Sequence, residues 1–169
     1  GGAEDAGSIN PDILLEQYTE SGANIPAYFF RSSFTIADPA RVPALIGEVA
    51  FDDAIIVYIN GVVVYADNLP YIGYDQNLAY GCETAYADPL HATFIVGDTS
   101  MLVTGANTLA VELHQADRTS RDIYFDFLSL QISEDAGADI NDIPPVLLDK
   151  CYPLSSAAMI MLAGESARD

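Results

Sequence analysis

Along the middle of the chain, apolar and polar positions recur with the period of two that marks β-strands rather than the 3.6 of a helix. Tyr28 to Ile36 is aromatic and β-branched and stops at the turn Ala37-Asp38-Pro39. A second strand signal runs over 44–51. A third and a fourth, Ala54 to Ile59 and Val62 to about residue 66, are separated by Asn60-Gly61. Two β-branched runs joined by Asn-Gly predict a hairpin, because both central residues of a type I′ turn need positive φ. Further strands are predicted over 92–97, 108–114 and 122–132. In the sixth, Leu109, Val111 and Leu113 share the core side; in the seventh, Ile123, Phe125 and Phe127 share one face.

The flanks read differently. Asn10-Pro11-Asp12 has the form of a helix start, with Ile13, Leu14, Leu15 and Tyr18 as its apolar face. Residues 66–92 contain a tyrosine-rich loop of roughly twenty residues, a length that is usually functional or mobile. After Ser133 an acidic, turn-rich segment leads to Ile143-Pro144-Pro145, and Ser155 to Ala167 could close the chain as a short helix. The expected organisation is an N-terminal extension with a short helix (1–27), an antiparallel β domain (28–132) and a C-terminal extension or linker (133–169).

The chain has 169 residues, half of them hydrophobic, enough for one domain with a real core. Acids outnumber bases 25 to 6, for a formal net charge of -19. Such a surface excludes nucleic acid as a partner, disfavours anionic membranes, and contains no apolar run long enough for membrane insertion. Aspartates number 17 against 8 glutamates. That surplus fits a solvated acidic coat or hard-cation sites, since short carboxylates suit turns and Ca2+ alike. For calcium, Asp38, Asp52, Asp53, Asp122 and Asp126 are the carboxylates nearest the strand ends. Cys82 and Cys151 lie 69 positions apart without metal-ligand spacing, so they form either one disulfide or two buried thiols. The start Gly1-Gly2-Ala3-Glu4-Asp5 reads as processed or engineered and does not argue for the cytosol.

Four motifs in order resemble those of galactose-binding-domain-like jelly-roll modules from secreted bacterial multidomain proteins. Tyr28-Phe29-Phe30-Arg31-Ser32-Ser33-Phe34 resembles their "YFRKTF" strand, and 51–61 their "DDG-x-x-VYLNG" hairpin. Residues 105–115 are similar to "G-x-N-x-LAVE-x-HQ", and Ser120 to Asp126 to the closing "SSDL-x-FD" strand. The match spans 28–132, roughly 60% of the chain. Ala54 stands where such modules have Gly, and the aromatic strand that usually opens them is not found before Tyr28. The resemblance implies a jelly-roll β-sandwich, attachment to secreted hydrolases, phosphoesterases or surface proteins, sugar binding through end loops in many members, and a structural Ca2+ in many.

Catalytic signatures are sparse. There are two histidines, His91 and His114, and no nucleophile elbow, HExxH or phosphate loop. His114 is expected to be held by loop hydrogen bonds rather than to act as a base. A sugar site needs aromatic faces with carboxylate, amide or guanidinium groups. Tyr71, Tyr74, Asp75, Gln76 and Asn77 supply these in one loop, and Gln115, Asp117, Arg118 and Arg121 in another. The alternative reading has the tyrosines stapling the loop to the sandwich and the arginines pairing with surplus acid. The function expected is an exported, non-catalytic module, glycan-binding or accessory, in a secreted or cell-surface protein, with glycan or neighbouring domains as partners and possible Ca2+ at Asp52, Asp53, Asp122 and Asp126. The alternative is a structural subunit assembling as a homo-oligomer by strand sharing, since an absent opening strand leaves an open sheet edge.

Overall fold

The computed structural model describes residues 15–69, 80–81, 89–120, 122–133 and 160–161. It is an antiparallel β-sandwich. The strands are β1 (Ala27–Ile36), β2 (Ala44–Asp52), β3 (Ala54–Ile59), β4 (Val62–Asp67), β5 (Leu90–Val96), β6 (Gly105–His114), β7 (Tyr124–Ser133) and a two-residue β8 (Ile160–Met161). One sheet has the order β4-β3-β6-β1-β8 and the other β5-β2-β7. The seven strands predicted from alternation are all present. Their bounds shift where pairing continues past the local signal: β6 starts at Gly105, at φ 92°, because Gly105 still pairs with Ile36.

Each sheet turns one apolar face inward. Phe30, Leu45, Val49, Phe51, Ile55, Val57, Ile59, Leu109, Val111, Leu113 and Phe125 are all buried in one cluster. Across the layers the Phe30 and Phe125 rings meet at 4.5 Å, and Tyr65 stacks on Phe94 at 4.7 Å. Gly47 and Phe94 are cross-strand partners, and the Phe94 ring occupies the space a side chain at Gly47 would need.

The Asn-Gly hairpin forms as expected, with Asn60 at φ 49° and Gly61 at φ 82°. Its side chain does more than turn the chain. Asn60 Nδ2 donates to Met101 O and to Asn107 Oδ1, both at 2.8 Å, and Asn60 Oδ1 accepts from Thr108 N at 2.8 Å. Asn107 in turn closes a turn with Val103 and Gly105. One end of the sandwich is therefore locked by two asparagines.

The helix expected from Asn10 begins outside the described residues. Its described part, from Leu15, is extended: Ile25 N donates to Gln17 O, Tyr18 bridges Asn24, and Gly22 turns the chain at φ 80°. Leu15 is buried in the sandwich core, and Tyr18 is 51% exposed rather than part of an apolar helix face. The expected helix over 155–167 also lies largely outside the described residues, within which Ile160–Met161 pair with Arg31 and Phe30 as strand. Among the described residues no helix is long and apolar enough to cross a membrane.

Candidate functional site

The end opposite the asparagine lock gathers the polar side chains. The Asp52-Asp53 step joins β2 to β3, and its peptide bond is cis. Asp53, 1% exposed, holds three segments together. Its N–H donates to His114 O at 3.2 Å, and its carbonyl accepts from Asn68 Nδ2 at 2.8 Å. Its Oδ2 accepts from Ala116 N at 2.7 Å and Ser120 Oγ at 3.5 Å. A backbone N–H donating to a buried carboxylate makes a short, charge-assisted bond. Asp53 thereby anchors the loop that follows β6.

The N-terminal segment folds over the same loop. Gln17 Nε2 (3.3 Å) and Asn24 Nδ2 both donate to Ser120 O, and the Tyr80 hydroxyl donates to Asn24 O. Gly81 N donates to Gln115 O at 3.1 Å, and Gln115 N to Pro26 O at 3.0 Å. These bonds set Tyr80 and Gly81, within the tyrosine-rich stretch, against the start of the 115–120 loop. Burial raises the Tyr28 hydroxyl pKa, with the Glu16 charge and Tyr80 adding to the effect; that hydroxyl donates to Glu16 O at 2.8 Å.

Of the expected ligand residues, Asp117 and Arg118 are exposed on this loop. Asp117 Oδ1 accepts from Thr119 Oγ1 (2.8 Å) and Thr119 N (2.6 Å), and those bonds lower its pKa. Gln115 does not reach solvent. It is 0% exposed, and among the described residues neither end of its carboxamide has a hydrogen-bond partner. The β6 alternation explains this: 109, 111, 113 and 115 all point inward. Gln115 is thus a buried residue beneath the loop and not a surface contact. Tyr71, Tyr74, Asp75, Gln76, Asn77 and Arg121 lie outside the described residues, as do Cys82 and Cys151.

The expected calcium ligands are distributed over the smaller sheet and its flanking turns. Asp52 pairs with Tyr124 and Asp126 with Ala50, which places both on the outer face of the smaller sheet. Asp53 is committed to Ala116 and Ser120, Asp122 precedes β7, and Asp38 Oδ1 accepts from Ala40 N to cap the Pro39–Arg41 turn. Among the described residues no group of three or more His, Cys, Asp or Glu could hold a metal ion.

A second polar cluster carried no signal beyond the Glu-x-His spacing on one strand face. His114 Nε2 contacts Glu112 Oε1 at 2.8 Å, and the Tyr58 hydroxyl donates to Glu112 Oε2 at 3.0 Å. Glu112 is 3% and His114 1% exposed. His114 is thus held in part by its strand neighbour Glu112. Burial, with the Glu112 charge and hydrogen bond, pushes the Tyr58 pKa up to about 12.

No protein-family model and no curated protein matches the sequence. Among solved structures, the chain is similar to part of Streptomyces avermitilis α-L-rhamnosidase, solved in complex with L-rhamnose, at 17% identity and a TM-score of 0.37. The match covers 73% of this chain and 12% of that one, so the chain spans about an eighth of the enzyme's length.

Proposed function

We propose that the chain is a non-catalytic, galactose-binding-like module of a larger secreted or surface protein, and that it binds glycan at the loop end. The observation that carries this is the Gly81 N to Gln115 O hydrogen bond. It sets Tyr80 and Gly81 beside the loop presenting Asp117 and Arg118, so an aromatic, an acidic and a guanidinium residue lie toward one end of the sandwich, the combination sugar recognition uses. The strand order β1-β6-β3-β4 over β7-β2-β5 supports the jelly-roll reading, being that fold with the strand beside β7 left out. The burial of His114 against Glu112 supports a non-catalytic role, since a base so covered cannot reach a substrate. Asp53 and Asp38 are engaged within the fold, so the reading requires no Ca2+.

Glycan-array binding by the full chain tests it. Arg118→Ala and the paired Tyr71→Ala, Tyr74→Ala change should each abolish the signal while leaving the fold intact by circular dichroism. Retained binding in both variants would refute the loop-end site.

A second reading, assembly through strand sharing, has its own support. Among the described residues β7 pairs only with β2, and the outer edge of β1 is bridged at two positions out of ten. Such edges recruit strands. Light scattering behind size-exclusion chromatography separates the two: a clean 18.1 kDa monomer eliminates assembly.

A further inference from the structure

The outer face of the larger sheet has a slot that the loop end does not use. Tyr58 on β3, Ala110 on β6 and Arg31 on β1 stand in one row across three strands. The next row holds Ile56, Glu112 and Phe29. Adjacent strands lie about 4.8 Å apart, so Tyr58 and Arg31 are roughly 10 Å apart at their backbones. The methyl group of Ala110 leaves the space between them open. The result is a shallow, half-open groove of about 90 Å³, walled by Tyr58 and Arg31, floored by Ala110 and closed at one side by Phe29 and Glu112.

Its wall is fixed in place. The Tyr58 hydroxyl donates to Glu112 Oε2 at 3.0 Å, and Glu112 Oε1 is held by His114 Nε2 at 2.8 Å. With its proton so committed, the phenolic oxygen still has a lone pair for a hydroxyl donor. Arg31 is exposed, and among the described residues no carboxylate lies within ion-pair distance of its guanidinium. Its fork of five N–H donors is free to face the groove.

From this geometry we infer a second carbohydrate subsite, for a neutral pyranose unit lying flat in the slot. Phe29 and Tyr58 offer aromatic surface to the apolar side of the ring, Arg31 donates to vicinal hydroxyls, and the Tyr58 oxygen accepts from another. The ligand is uncharged because a net charge of -19 and the adjacent Glu112 carboxylate both repel an anionic sugar. The subsite shares a ligand class with the proposed loop-end site but none of its residues.

The test is a 15N–1H correlation titration of the full chain with the methyl glycosides of glucose, galactose and mannose, and with galacturonate. At least one neutral glycoside should shift the amides of Arg31, Tyr58 and Ala110, with an affinity insensitive to salt and at least about tenfold above that for galacturonate. Arg31→Gln should weaken it by about tenfold or more, as expected for losing charge-assisted donors. Ala110→Leu, which fills the slot without changing charge, should abolish it. Arg118→Ala should leave it unchanged. The proposal is overturned if no neutral glycoside shifts these amides at tens of millimolar, if galacturonate binds as well, or if Arg31→Gln and Ala110→Leu bind like the parent. Loss of loop-end binding alone overturns only the other site.

Discussion

Gly47→Ala is the substitution whose cost the structure defines most sharply. A Cβ on Gly47 would lie 2.2 Å from Phe94 Cζ, 2.6 Å from Cε1 and 2.8 Å from Cε2. Ordinary contact begins at 3.4 Å, so the ring must retreat by about 1.2 Å. It has little room to do so, because one face stacks on Tyr65 at 4.7 Å and Phe127 meets it edge-on at 6.4 Å. Overpacking of this kind costs about 1–3 kcal/mol. Replacing a strand glycine returns about 0.5–1 kcal/mol of backbone entropy; with a 1.2 Å retreat blocked on two sides the cost lies toward the upper end, leaving a net loss of about 1–2.5 kcal/mol. Urea denaturation followed by circular dichroism measures it. Phe94→Leu alone is also destabilising, but in the Gly47→Ala background it removes the clash. The double variant should therefore be more stable than the sum of the two losses by about 1 kcal/mol or more. A Gly47→Ala protein as stable as the parent, or strict additivity in the cycle, would refute the argument.

Asn107→Ala removes four side-chain hydrogen bonds, to Val103 N and O, Gly105 O and Asn60 Nδ2, and should cost about 2–4 kcal/mol, read as a fall in Tm of roughly 5–15 °C. Gln115→Met should stabilise the fold by about 1–3 kcal/mol in chemical denaturation, because it replaces a fully buried amide that makes no side-chain hydrogen bond; a loss of stability would show that the amide is satisfied. The Tyr58 hydroxyl, raised to about 12 in the fold against an ordinary 10.0, keeps its proton more tightly when folded. Its contribution to stability is therefore complete below pH 10.0 and lost as the pH climbs toward 12, and Tyr58→Phe should flatten that part of the stability–pH curve.

The strands were legible because each of the seven signals combines β-branched or aromatic residues with alternation, and the Asn60-Gly61 turn has a single geometric solution. Strand ends were less legible. Gly105 and Leu90 look like loop residues and are strand only because Ile36 and Phe51 lie opposite. At the candidate site, the polar composition of 115–120 made the exposure of Asp117 and Arg118 legible. Gln115 was misplaced by the same logic, although extending the β6 alternation by one step points it inward. Gln17 and Asn24 had no local signal at all: their partner, Ser120, is 103 and 96 residues away, and only the fold brings it near. Asp53 read as a cation ligand because a carboxylate at a strand end suits that role; its bonds to Ala116 N and Ser120 Oγ, 63 and 67 residues away, had no local signal.

Glycan binding at the loop end is the proposed role of this chain. The measurement that tests it most directly is an amide chemical-shift map of the full chain titrated with the glycan that gives the strongest array signal. Shifts should concentrate at Tyr80, Gly81 and residues 115–120, with the Asn60-Gly61 hairpin at the far end of the strands unmoved. Shifts centred on that hairpin, or none anywhere with any glycan, would contradict it.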